Sequence, residues 1–153
     1  MATKSIHGAA LTARWVALRL ELWVRARILA FQITRDQPLA AMLELATPTA
    51  RRRYTGMPAA KIVRAVRRTL RRPLLMRKRP CLREGLLAYR FLAEAGYRPY
   101  LHFGVDPAIV TSPSAIAHCW VTLDGKIVIG ESQTPFVGIL SHPEGAIEGV
   151  SRQ

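Results

Sequence analysis

Apolar residues step through the first third of the chain at helical intervals. Leu11, Trp15, Leu18, Leu22, Ala26, Leu29 and Ile33 recur at three- and four-residue steps with arginines between them, which predicts an amphipathic helix. Asp36 to Pro38 ends it, a short apolar piece follows from Leu39 to Leu45, and Thr47-Pro48 and Gly56 through Pro58 punctuate the chain next. The same spacing predicts a second helix from Pro58 to about Arg72, with Ile62, Val63, Val66 and Leu70 on one stripe and Lys61, Arg64, Arg67, Arg68, Arg71 and Arg72 on the rest. A third helix starts at Pro80 and reaches Ala95, burying Leu82, Leu86, Tyr89 and Leu92 or Ala93, with Gly96 as a left-handed cap.

After Gly96 the period changes from helical to alternating. Residues 100 to 105 place Leu101, Phe103 and Val105 on one side and Tyr100, His102 and Gly104 on the other, as a strand does. A proline-bearing loop from Asp106 to Ser114 comes next and is the natural wall of a substrate groove. His118 to Leu123 and Lys126 to Ile129 then flank Asp124-Gly125, a dipeptide favoured in two-residue hairpin turns. The last twenty residues carry little pattern beyond Phe136 to Leu140. Helices first and an antiparallel sheet afterwards make an α+β fold.

Length and charge narrow the function classes. With 153 residues, half of them apolar, one compact domain with a single core is expected. Two cysteines make no disulfide scaffold, and no secretory signal is legible at the amino terminus, so a reducing, cytoplasmic setting is the simplest expectation. The segment from Ala9 to Ile33 is long enough to span a bilayer but carries Arg14, Arg19, Glu21, Arg25 and Arg27. Each such charge at a helix centre costs roughly 2.5 to 3.5 kcal/mol, so a membrane span is excluded.

The net charge of +13 is concentrated: no acid stands between Glu44 and Glu84, and thirteen basic residues lie from Arg51 to Arg83. Such a block suits an anionic partner, an acidic peptide among them, or simply a solvated helix face. Nucleic acid is disfavoured, because Tyr54 is the block's one aromatic and single-strand binders interleave stacking residues with their cations.

The candidate chemistry lies in the second half. Proline is at home in the first helical position, so Pro80 leaves Cys81 in the first turn, where free amides and the positive dipole end favour an anion. Thiols so placed ionise more easily than free cysteine does. His118 is the candidate base. If Asp124 and Gly125 are the two loop residues, Leu123 faces Lys126 and the ladder puts His118 opposite Glu131. Side-chain roots of opposed residues are roughly 4.5 to 5.5 Å apart, so that carboxylate would hold one ring nitrogen and free the other to take the thiol proton. A bulge or a longer loop would shift this partner by one residue. Asp124 lies six residues along from His118, about 20 Å at roughly 3.3 Å per residue. Strand alternation turns Cys119 to the other face, as a small buried hydrophobe. His102 reads as a strand histidine on the partly solvated face, and His7 and His142 as surface residues. One cysteine and one histidine taken alone are equally what a buried helix position and a strand position would supply.

The run Cys81-Leu82-Arg83-Glu84-Gly85-Leu86-Leu87, then Leu92, Gly96, Leu101, Gly104-Val105 and Ala117-His118-Cys119-Trp120-Val121 with Asp124-Gly125, resembles the lasso-peptide leader peptidases of the transglutaminase-like fold. The match covers roughly residues 58 to 131. Residues 1–57 read as a helical extension with no sign of the recognition domain that precedes the peptidase in fused relatives, and the resemblance implies a core over 58–153, in which a cysteine-bearing helix packs on a small antiparallel sheet. By that resemblance Cys81 is the nucleophile and His118 the base and then the acid. The family's aspartate falls on the strand after the Asp124-Gly125 turn, where this chain offers Glu131. The implied activity is removal of the leader from a lasso precursor, beside a separate small recognition protein (a RiPP recognition element) and upstream of an ATP-dependent macrolactam cyclase. Neither cofactor nor metal is implied. Three other readings share these residues: a non-catalytic basic adaptor holding an acidic leader through residues 58 to 72, an acyl transferase using the same triad, and a peripheral membrane protein attached through its first helix.

Overall fold

A computed structural model of the chain describes residues 3–33, 38–49, 52–71, 79–107 and 117–143, with side chains from residue 10 onward. Among the described residues four helices precede a four-stranded sheet: α1 (Thr3–Gln32), α2 (Leu39–Ala46), α3 (Ala59–Leu70), α4 (Pro80–Glu94), β1 (Tyr100–Val105), β2 (Ala117–Leu123), β3 (Lys126–Ile129) and β4 (Val137–His142). The strands lie in the order β3-β2-β1-β4, with every pairing antiparallel. The α+β arrangement read from the changing period is the one observed.

Helix α4 is the centre of the molecule. Apart from half-buried Cys81, Glu84 and Ala93, every residue from Leu82 to Glu94 is buried. The sheet covers one side of the helix, and α1, α2 and α3 cover the others. It ends as its sequence predicts: the amides of Gly96 and Tyr97 return to the carbonyls of Ala93 and Leu92, at 3.0 and 3.1 Å, satisfying two of the last free acceptors. Three buried ionic groups lie on it, Arg83, Arg90 and Glu94, and the chain around α2 supplies hydrogen-bond partners to the last two. Arg90 donates to the carbonyls of Leu45 and Thr47 at 3.2 and 2.6 Å and to the Thr49 hydroxyl at 2.6 Å, while its Nε lies 3.1 Å from Glu94 Oε1. Buried charges persist when such partners replace water, and removing one would strand the other.

The neighbouring helices dock by their apolar stripes. Ile62, Val63, Val66 and Leu70 of α3 are buried, and the Tyr97 hydroxyl accepts from the Ala59 amide and donates to the Met57 carbonyl, pinning the start of α3 to the turn after α4. On α1 the buried stripe is Leu18, Leu22, Ala26 and Leu29, continued by Ile33 just past the helix end. Tyr54 and Arg53 tie this helix down through Glu21. Burial raises the Glu21 pKa, but the Tyr54 hydroxyl, Arg25 and Arg53 outweigh it and hold the carboxyl below its usual range.

Several details depart from the sequence reading. The outward side of α1 is apolar too, with Val16, Leu20, Ile28 and Phe31 exposed, so the helix is not simply polar outside. The piece from Leu39 is a helix of its own. Strand β4 forms the sheet edge beside β1, although its pattern is not alternating: Val137, Gly138 and Ile139 are all exposed. His102 is buried rather than partly solvated. Its ring stacks on Trp120 at 5.4 Å, and Nε2 meets the Thr122 hydroxyl at 2.8 Å. His142 is half-buried against Tyr89, with ring centroids 5.4 Å apart. The break at Asp36, the His7 side chain, Arg72 and most of the loop from Asp106 to Ser114 lie outside the described residues.

Two outcomes follow. A Cβ at Gly85 would stand 2.5 Å from Cys119 Sγ and 3.2 Å from a Leu101 methyl, so Gly85→Ala should cost about 1–3 kcal/mol in urea unfolding. Combining it with Cys119→Ala, which removes the nearer atom, should recover at least half of that loss. Burial lowers the His102 pKa, so the unfolded chain takes up the proton first. Stability should be complete above the ordinary imidazole value of about 6.5 and fall as pH drops from there toward the folded pKa. Between pH 7 and 5 the urea midpoint should fall less for His102→Gln than for the parent chain, and equal slopes would refute the assignment.

Candidate active site

Pro80 occupies the first turn of α4, preceded by Arg79 in the left-handed region with φ 46°. Cys81 follows it, a free thiol that is half-buried rather than sealed in the interior. First-turn donors have no carbonyl one turn back, so the amides of Cys81 and Leu82 have no acceptor within the helix. His118 is the second residue of β2 and pairs with Gly104 of β1. Cys81 and His118 line one cleft of about 430 Å³, whose apolar walls include Leu39, Met42, Phe103 and Ile139. The structure thus brings together two of the three residues singled out in the sequence.

Two aromatic rings and one backbone carbonyl hold the imidazole. Phe136 and Trp120 stack with it at centroid distances of 4.7 and 6.0 Å, with ring planes 22° and 18° apart. Its Nε2 lies 2.6 Å from the Gly130 carbonyl oxygen. A carbonyl can only accept, so Nε2 carries the proton and the neutral ring keeps its lone pair on Nδ1. A backbone group therefore sets the tautomer that a carboxylate was expected to set.

Glu131 is placed differently from the sequence expectation. Asp124 and Gly125 do form the hairpin turn, at φ 50° and 75°, and Leu123 does face Lys126. The ladder then bulges: Thr122 pairs with Ile127 but Val121 with Ile129, leaving Val128 as an extra residue. Counting on from Val121 and Ile129 puts Ser132, not Glu131, level with His118, and strand pairing ends at Ile129. Glu131 is exposed. Gly130 makes the substitute contact possible, since it sits at φ +80° and a Cβ there would stand 2.6 Å from the Cys119 carbonyl and 2.8 Å from Trp120.

Cys119 is buried against α4, and burial, with a smaller contribution from Cys81, pushes its thiol well above the ordinary range. It is no competitor for Cys81. The sequence reading passed over another residue near Cys81. Glu84, one turn along from Cys81, is half-buried and 3.8 Å from Arg67 Nε. Burial raises its pKa, opposed in part by Arg67, Arg71 and His118. The signal for it was in plain view: Glu84 is the first acid after Glu44 and lies three residues from the candidate nucleophile. Among the described residues no group of three or more His, Cys, Asp or Glu could hold a metal ion, and no helix is long and apolar enough to cross a membrane.

Residues 12–141 match a family model described as the transglutaminase-like superfamily. No curated protein and no solved structure matches the chain.

Long-range ¹H–¹⁵N NMR of neutral His118 should show the proton on Nε2 and a bare Nδ1. Gly130→Ala forces both a strained backbone and a clash, so the carbonyl must move and the spectrum should show mixed tautomers. Glu131→Gln should leave the pattern untouched. A tautomer change in that variant would return the orienting role to the carboxylate.

Proposed function

The chain belongs to the transglutaminase-like superfamily, and from that membership we propose that it is a cysteine peptidase removing the leader from a lasso-peptide precursor. The observation that carries the reading is the cleft shared by Cys81 at the tip of α4 and His118 with its tautomer preset. In the proposed reaction Nδ1 takes the thiol proton, and the thiolate attacks the scissile carbonyl. The amides of Cys81 and Leu82 receive the developing oxyanion. The imidazolium gives its proton to the departing amine, and the same ring then activates the water that releases the leader from the acyl-enzyme. The Gly130 carbonyl orients the ring throughout.

The apolar walls of the cleft suit short uncharged side chains beside the cut. The resemblance over residues 58 to 131 supplies the pathway: a leader-bearing precursor, a small RiPP recognition element protein that presents it, and a macrolactam cyclase that uses the product. The setting proposed is the cytoplasm, where both thiols stay reduced.

Cleavage of a lasso precursor in the presence of its recognition protein, followed by mass spectrometry, tests this. Cys81→Ala should abolish release of the leader, and His118→Ala should slow it by at least 100-fold. Leader gaining the mass of one water identifies hydrolysis, whereas leader joined to an added amine identifies acyl transfer. Normal cleavage by Cys81→Ala would leave a non-catalytic adaptor.

A further inference from the structure

A groove of about 800 Å³ runs beside α3, lined by Arg64, Arg67, Arg68 and Arg71 and floored by apolar atoms of Val63 and Val128. Four guanidiniums in one concavity repel one another, and half-buried Glu84 lies 3.8 Å from one of them, Arg67. One of the four is anchored, as Arg67 also donates to the Val128 carbonyl at 3.4 Å. Arg64, Arg68 and Arg71 are exposed. Glu84 stands between the groove and the candidate site, since it lies 3.8 Å from Arg67 and one turn from Cys81 on α4.

We propose that this groove binds an acidic segment of the peptide substrate and leads it toward Cys81. The inference rests on the peptidase reading and adds the substrate's chemistry to it. Charge complementarity calls for carboxylates, which arginine forks receive in paired hydrogen bonds, over a floor that accepts the aliphatic parts of an extended chain. Proximity of the groove, through Arg67 and Glu84, to the helix that carries Cys81 favours a peptide over a nucleic acid, because thiol chemistry acts on acyl bonds. The exposed arginines are screened beyond about 8 Å at physiological salt, so the attraction acts at short range and weakens as salt rises.

Fluorescence anisotropy with a labelled hexaglutamate peptide tests this on the full chain carrying Cys81→Ala, so that binding is read apart from cleavage. Hexaglutamate should bind, hexaserine should not, and affinity should fall as salt rises. Arg64→Glu with Arg71→Glu should weaken binding at least tenfold, and Arg64→Gln with Arg71→Gln by an intermediate factor. Arg14→Glu with Arg27→Glu makes the same change in net charge on α1 and should cost less than twofold. Equal losses in the two charge-reversed variants, no binding of hexaglutamate, or tighter binding of a single-stranded oligonucleotide would each overturn the proposal. In the catalytically intact chain, iodoacetamide labelling of Cys81 should be as fast in the groove variants as in the parent. The two readings fail separately: hexaglutamate binding without precursor cleavage sinks the peptidase alone, and cleavage indifferent to the arginines sinks the groove alone.

Discussion

Helix α4 lies so close to strand β2 that only a hydrogen fits at Gly85, where the sulfur of Cys119 fills the space of a side chain. That contact sets the geometry of everything nearby. Cys81 stands one turn before Gly85 on the same helix, and His118 stands one residue before Cys119 on the strand. The spacing between the two candidate reactive groups is therefore inherited from one packing contact in the core. The cost of so central a helix is the burial of Arg83, Arg90 and Glu94, and for Arg90 the carbonyls and hydroxyl around α2 offset it. The helices before α4 are thus a jacket that lets a polar helix sit inside the protein.

The histidine is governed by backbone more than by charge. A carboxylate partner would stabilise the imidazolium by a full charge, whereas the Gly130 carbonyl offers a dipole that cannot titrate. Stacking by Phe136 and Trp120 supplies the remaining restraint on the ring. Negative charge near the ring comes instead from Glu84, whose burial and whose arginine neighbours pull its protonation in opposite directions. Glu84 ties α4 to the arginine face of α3 through Arg67, one turn from Cys81.

Much of this architecture was legible in the residue order. Proline at position 80, the three-and-four spacing of Leu82, Leu86 and Tyr89, and the Asp124-Gly125 turn each act through local backbone preferences, so they predicted α4, its start and the hairpin. Cys81 and His118 stood out for the same reason, since a helix start and a strand start are local facts. His102 was misplaced because alternation tells faces apart but does not tell which face a neighbour will cover; Trp120, facing it from β2, provides that cover. Strand β4 was missed because its exposed Val137 and Ile139 flank an exposed glycine, and pairing with β1 rather than its own pattern makes it a strand.

Glu131 shows where the boundary falls. Counting along an ideal ladder ranks residues correctly only while every residue pairs, and the single unpaired Val128 shifts the register and moves the carboxylate out of line. Whether a strand bulges depends on the packing of both its faces, which no run of neighbours encodes. The order of residues determined by itself the three long helices, the hairpin, the charge block and the two candidate side chains, because those follow from local backbone preference and composition. Tertiary packing alone decided what holds the imidazole, what covers His102 and that Arg67 meets Glu84, because each depends on surfaces from distant segments meeting at van der Waals distance.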